Sequence, residues 1–204
     1  MSSQTQQFYE QNSHDLIKRY ESADMSVLHQ LLVKHIPLNS KVIDIGFGSG
    51  RDLAFLQSKG HDIYGIDPVK SFIVQSQHRF MGIHEHFRVG TFLSSDIPLD
   101  WLYSFDVVIS IAVWMHLKAD ESPKAIETIK SFLKPNGIVI LSFSLGARDK
   151  NDERHFELLS IDSVVNEFLS FGFKVVQVEK SSDTLGRESI EWATIVFQAV
   201  NENN

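Results

Sequence analysis

Cysteine is absent from this chain, and proline occurs only 5 times in 204 residues. Without thiols there are no disulfides, thiolate metal sites or cysteine nucleophiles, and a reducing, cytoplasmic setting is expected. No apolar run approaches the roughly 20 residues that a membrane span needs. The opening Met-Ser-Ser-Gln-Thr-Gln-Gln is neither basic nor apolar, so no signal peptide is expected. Basic residues are in deficit as well, 19 against 26 acidic, for a net charge of -7. Phosphate backbones are gripped by lysine and arginine clusters, so nucleic acid is not an expected partner.

What is present is 43% hydrophobic content, enough for one core without staples. Its most informative stretch is Val42-Ile43-Asp44-Ile45-Gly46-Phe47-Gly48-Ser49-Gly50: a β-branched apolar run that ends in three alternating glycines. The run reads as a buried strand, and the glycines as a turn where backbone meets ligand. A second apolar run ends at Asp67, the position from which a neighbouring parallel strand offers a carboxylate to a ribose. Together these indicate a nucleoside cofactor.

A dinucleotide fingerprint requires a third glycine where this chain has Arg51. The pattern suits instead an adenosine whose 5′ end carries an amino-acid tail, which is S-adenosylmethionine. Here the sequence resembles the class I S-adenosylmethionine-dependent methyltransferases over most of its length. Val42 to Gly50 is similar to their first motif, Phe105 to Ser110 to their fourth strand, and Leu133 to Ile140 to their turn and fifth strand. A narrower similarity, to small bacterial enzymes of this kind, lies in Tyr9-x-x-Asn12 with Arg19-Tyr20, in Ala112 to Leu117, and in Leu185-Gly186-Arg187 with Trp192.

Helical spacing covers residues 5–20 and Ser26 to His35, read as a cap rather than core. Strands are expected at Lys41–Ile45, His61–Ile66, His86–Phe92, Phe105–Ser110, Ile138–Ser144, Phe173–Lys180 and Trp192–Val200. Helices are expected at Arg51–Lys59, Ser71–Arg79, Lys124–Leu133 and Ile161–Phe171, and a mobile loop at Ala147–His155. Alternating strands and helices predict an α/β, Rossmann-like, doubly wound sheet of seven mostly parallel strands. No helix separates the last two strands, so the final one should run antiparallel. One domain spans 1–204, with a helical cap at 1–36, a cofactor-binding half at 41–145 and a substrate-side half at 146–200.

In such a sheet the ligand lies beyond the carboxyl ends of the strands. Gly46, Gly48 and Gly50 are therefore expected to face the methionine end of the cofactor, and Asp67, followed by Pro68, its ribose. The resemblance implies that Asp44 orders the glycine loop or reaches the ammonium. Arg51 would pair with the cofactor carboxylate or merely open a helix. Where the family usually places an acid against adenine this chain has Ser94, which passes that task to Ser95 or Asp96; Ser110 completes the expected cofactor contacts.

Trp114, Met115 and His116 follow the fourth strand and so should stand beside the reactive methyl. Trp114 and Met115 would shape an apolar substrate pocket, and His116 would serve as a base or as a packing residue. Tyr20 is expected to line the catalytic site from the cap, and Arg187 to reach an anionic substrate group or pair within its own loop. His84 and His86 flank Glu85 without a third ligand, so no metal is expected. The reading is a methyltransferase using S-adenosylmethionine, with S-adenosylhomocysteine as product. It would act on an oxygen, nitrogen or sulfur-like nucleophile of a small molecule, with no membrane partner and with monomer and homodimer both open. The rivals are a non-catalytic cofactor-binding regulator, a peptide or protein methyltransferase, and a nicotinamide oxidoreductase.

Overall fold

The computed structural model describes residues 2–94, 97–149, 151–185, 187 and 190–200. Its sheet holds β1 Lys41–Ile45, β2 Asp62–Asp67, β3 Phe87–Val89, β4 Phe105–Ile111, β5 Leu133–Leu145, β6 Phe173–Ser182 and β7 Glu191–Ala199. The helices are α1 Ser3–Glu21, α2 Ser26–His35, α3 Arg51–Ser58, α4 Lys70–Arg79, α5 Ser122–Phe132 and α6 Ile161–Ser170. Strand order is β3-β2-β1-β4-β5-β7-β6. Strand β7 is antiparallel to both neighbours, and every other pairing is parallel.

Side chains alternate across the sheet and feed two apolar layers. Ile43, Val108 and Val139 pack with Ile126, Ile129 and Phe132 of α5 and Phe168 of α6. Val42, Val107 and Ile140 pack on the other face with α2, α3 and α4. Because the order reverses between β1 and β4, a crevice opens at their carboxyl ends, where loops on the two sides diverge.

The seven-stranded, mostly parallel sheet agrees with the sequence reading, and its details correct that reading in several places. Helix α2 is core rather than cap: Leu28, Leu31, Leu32 and Ile36 are buried against the sheet. Strand β3 is three residues long, because His84–His86 form a 3-10 turn and Thr91 and Ser94 draw the chain into local side-chain bonds. Phe92 is buried without being in a strand. Pro123 does not precede α5 but sits in its first turn, where a missing N–H costs nothing. The expected turn at Pro135-Asn136-Gly137 lies within β5 as a bulge, with Asn136 at φ 62, between the Leu133–Phe105 and Ile138–Val107 pairings. Among the described residues no helix is long and apolar enough to cross a membrane.

Candidate active site

Strand β1 delivers the chain into the crevice at Gly46, whose φ of +82° is a left-handed conformation that side chains resist. A Cβ there would stand 2.4 Å from Val113, so the absence of a side chain is what lets the loops after β1 and β4 touch. At Gly48, φ +56°, the nearest side chain is Tyr20 of α1, 3.7 Å from where a Cβ would be. The Gly48 N–H donates to Asp67 Oδ2 at 3.0 Å, and the Val69 N–H to Oδ1 at 2.8 Å. One carboxylate at the end of β2 thus fixes both the glycine loop and the entry to α4.

Asp44 and Asp67 are both buried, at 2% and 4% exposure. Burial raises the Asp67 carboxyl to about 7 despite its two backbone donors. Burial also lifts Asp44 well above the carboxylate range, with Asp52 and Asp67 adding repulsion and Arg51 opposing it. Asp44 Oδ1 is shielded from solvent and has no hydrogen-bond partner. It lines a cavity of about 130 Å³ together with Gly46, Gly48, Asp67 and Pro68. An orphaned carboxylate oxygen beside a backbone turn bare of side chains at Gly46 and Gly48 fits the ammonium of an amino-acid tail, the group that would satisfy it.

Helix α1 roofs this cavity and is tied down on both sides. Gln6 donates to the Pro68 carbonyl at 2.8 Å, Glu10 accepts from Ser71, and Arg79 pairs with Glu21 at 2.6 Å. On the opposite side the Tyr9 hydroxyl meets His116 Nε2 at 2.9 Å. His116 Nδ1 lies 2.6 Å from the His155 carbonyl, which only accepts, so Nδ1 carries the proton and Nε2 receives Tyr9's. Burial drives the His116 pKa down to about 4, with the Arg154 charge contributing. The imidazole is therefore neutral at pH 7, and its basic nitrogen is covered by Tyr9.

The structure brings Arg51 close to the cavity but commits it elsewhere. Its Nε and Nη2 go to Asp52 and its Nη1 to the Tyr20 carbonyl at 2.7 Å. Asp52 also takes His29 Nε2 at 2.8 Å, so this cluster joins α1, α2 and α3. Ser110 lies off the cavity wall, fully buried, and donates to the Ile45 carbonyl at 2.8 Å, bracing β4 on β1. Ser95 and Asp96, the expected adenine contacts, lie outside the described residues, as does Gly186.

A second cavity, about 370 Å³, shares Tyr9, Tyr20, Arg51, Ile111, Ala112 and His116 with the first. Ala112, at φ 63, turns the chain at the wall common to both. Met115 and Arg187 line this second chamber. Trp114 does not: 1% exposed, it packs on Phe92 and Phe168, which moves it from the expected pocket wall into the core. Arg187 is held by Asp183, which also accepts from Trp192 Nε1 at 2.9 Å. The segment expected to be a mobile loop is anchored: Arg154 forks onto Asp152, and the His155 and Glu157 N–H groups reach Thr5 and the Met115 carbonyl. Sequence reasoning missed Arg148 and Arg154 as wall residues, since in a charged, turn-rich stretch they are indistinguishable from solvated side chains. Among the described residues no group of three or more His, Cys, Asp or Glu is placed to hold a metal.

A family model described as a methyltransferase domain matches residues 16–178. The chain belongs to the methyltransferase family. The chain is 24% identical to phosphoethanolamine N-methyltransferase of Plasmodium falciparum over 71% of its own length and 58% of that protein's. It is 29% identical to protein-L-isoaspartate O-methyltransferase of Pelodictyon phaeoclathratiforme, over 57% of its own length and 49% of that one. The chain thus spans only about half the length of the curated relatives it matches, 49–58%. In fold it superposes with TM-score 0.78 and 16% identity, over 98% of its length and 88% of the other's, on 1,6-didemethyltoxoflavin-N1-methyltransferase of Burkholderia thailandensis. That protein was solved with 1,6-didemethyltoxoflavin and S-adenosylhomocysteine bound. The chain thus has the fold of a methyltransferase solved with S-adenosylhomocysteine, the product form of S-adenosylmethionine. The cavity at the end of β1 fits that cofactor by the unpaired Asp44 oxygen and the open glycine turn.

Proposed function

We propose that this methyltransferase transfers the methyl group of S-adenosylmethionine to an oxygen, nitrogen or sulfur nucleophile of a small molecule. The observation that carries the reading is the pair of cavities with a common wall under α1. The smaller presents Asp44 and the glycine turn to the donor; the larger, about 370 Å³, is of a size that holds a small acceptor. In this reading Asp44 takes the ammonium, Gly46 and Gly48 admit the methionine end, and Asp67 with Pro68 faces the ribose; Gly50, expected beside them, lies off the cavity wall against Phe80. Bound there, the cofactor supplies an electrophilic methyl, and the protein's contribution is alignment at near-attack distance in a site closed to water. Tyr20 and Tyr9, on the roof, and His116, beneath them, border the junction of the two chambers. His116, neutral and capped by Tyr9, positions that hydroxyl more readily than it removes protons at pH 7.

The test is calorimetric titration with S-adenosylhomocysteine followed by a labelled-methyl screen of a metabolite pool. Binding that weakens at least ~10-fold in Asp44→Ala, with label passing to a small molecule, is the expected result. Heat from NAD and none from S-adenosylhomocysteine overturns the cofactor assignment; binding with label passing only to protein overturns the acceptor class.

A further inference from the structure

The second cavity contrasts an apolar side, with Leu28, Leu31 and Met115, against five arginines. Arg19 is solvent-exposed on α1 and Arg51 is spent on Asp52 and the Tyr20 carbonyl, which leaves the guanidinium groups of Arg148, Arg154 and Arg187. Two of the three are neutralised in place. Arg154 Nη2 is 2.7 Å from Asp152 Oδ2, and Arg187 Nε is 3.0 Å from Asp183 Oδ2. Arg148 is not: among the described residues it makes neither a hydrogen bond nor an ion pair. Its guanidinium rests 4.8 Å over the Phe156 ring and 5.9 Å from that of Trp192. Its Nε is shielded from solvent with no acceptor. Burial, then the positive charges of Arg187 and Arg154, pull its pKa below the ordinary arginine value, and the Asp152 and Asp183 charges oppose this only in part. Asp24 and Glu179 border the same chamber, but Asp24 accepts from the Ser26 N–H and Glu179 from Gln177.

A half-buried guanidinium lying against aromatic rings, beside two others whose charges are already balanced, is costly unless an anion completes it. Arginine's planar fork matches an oxyanion, and stacking on rings keeps the fork oriented with little entropy left to lose. We propose that the second cavity takes its acceptor by an oxyanion, a carboxylate or phosphate seated on Arg148. The apolar body lies along Leu28, Leu31 and Met115, and the nucleophile points to Ala112 and His116 where the chambers meet. This deepens the small-molecule reading above and rests on it. It assigns a use to a charge that the cofactor site leaves unpaired.

The test uses the full chain saturated with S-adenosylhomocysteine, at constant ionic strength, with benzoate, phenyl phosphate and benzyl alcohol as probes. Benzoate, phenyl phosphate or both should raise Tm and give saturable heat, and benzyl alcohol should do neither. The comparison of the two anions identifies which oxyanion fits. Arg148→Gln should weaken the anion at least ~10-fold, and Arg148→Lys, which keeps charge but not the fork, by less. Equal binding of benzyl alcohol, no binding of any probe, or anion affinity unmoved in both variants overturns the proposal. The probe comparison in the unaltered protein stands even if Arg148→Gln does not fold. Failure to bind S-adenosylhomocysteine at the outset would instead sink the cofactor reading, a separate result in the same titration.

Discussion

The hydroxyl of Tyr9 lies 2.9 Å from His116 Nε2, joining positions 107 residues apart in the chain. It connects the roof helix to the turn after β4, across the junction of the two cavities. Tyr9→Phe leaves a buried imidazole nitrogen without its donor, which costs about 1 kcal/mol of stability. Because His116 sits at about 4 when folded and near 6.5 when unfolded, the unfolded chain takes the proton first as pH falls. Stability from this group is therefore intact above about pH 6.5 and lost between there and about pH 4. Urea denaturation of wild type and His116→Gln should therefore diverge across that window, the wild type losing about 3 kcal/mol relative to the variant, which isolates this group from carboxyls such as Asp67 that titrate in the same range with the opposite sign. A kcat profile with an inflection near 6.5 that vanishes in His116→Gln would contradict the neutral, capped state.

Cofactor affinity should depend on pH through Asp67, whose buried carboxyl stands at about 7. Its folded pKa is raised, so the stability it adds is full below about pH 4 and lost as pH rises through about 7. Ribose hydroxyls donate to the ionised form, so binding below pH 7 must expel a proton. S-adenosylhomocysteine affinity should accordingly rise from pH 6 toward 8, by at most ~10-fold per unit, and level off. Calorimetry in two buffers of different ionisation heat reads the released proton directly. Affinity that falls with pH, or a slope unchanged in Asp67→Asn, would remove Asp67 from the ribose.

Trp114 should affect stability and not acceptor choice. Its ring is fully enclosed by Phe92, Phe168 and their neighbours, so Trp114→Ala opens a cavity worth about 3–5 kcal/mol. Trp114→Phe, which refills most of that space, should keep the wild-type ratio of kcat/KM between two acceptors. A changed ratio with unchanged denaturation midpoint would return Trp114 to the substrate wall.

The glycine turn, the acid ending β2 and the alternation of strands with helices were legible because each is a local pattern with one physical reading. Element boundaries were less so. Phe92 is apolar and was read into a strand, yet it is buried beneath a Thr91–Ser94 turn. Burial of α2 was missed because Val27 and Val33, on its exposed side, blur the stripe formed by Leu28, Leu31 and Leu32. Arg51 follows the cofactor turn and Ser110 lies near the end of the fourth strand, positions that face the crevice in this fold, but both spend their donors on protein acceptors instead.

By itself the order of residues determined the sheet, its crevice and the chemistry of the turn at Gly46 to Gly50, since backbone freedom and strand periodicity act over a few positions. The tertiary structure alone decided that Asp44 keeps an unsatisfied oxygen, that Tyr9 caps His116 and that Arg148 lies against Phe156 and Trp192 with no ion pair among the described residues. Those are properties of pairs brought together from distant segments. Whether a charged or polar group is satisfied depends on every neighbour that folding places around it, which no spacing in the chain records.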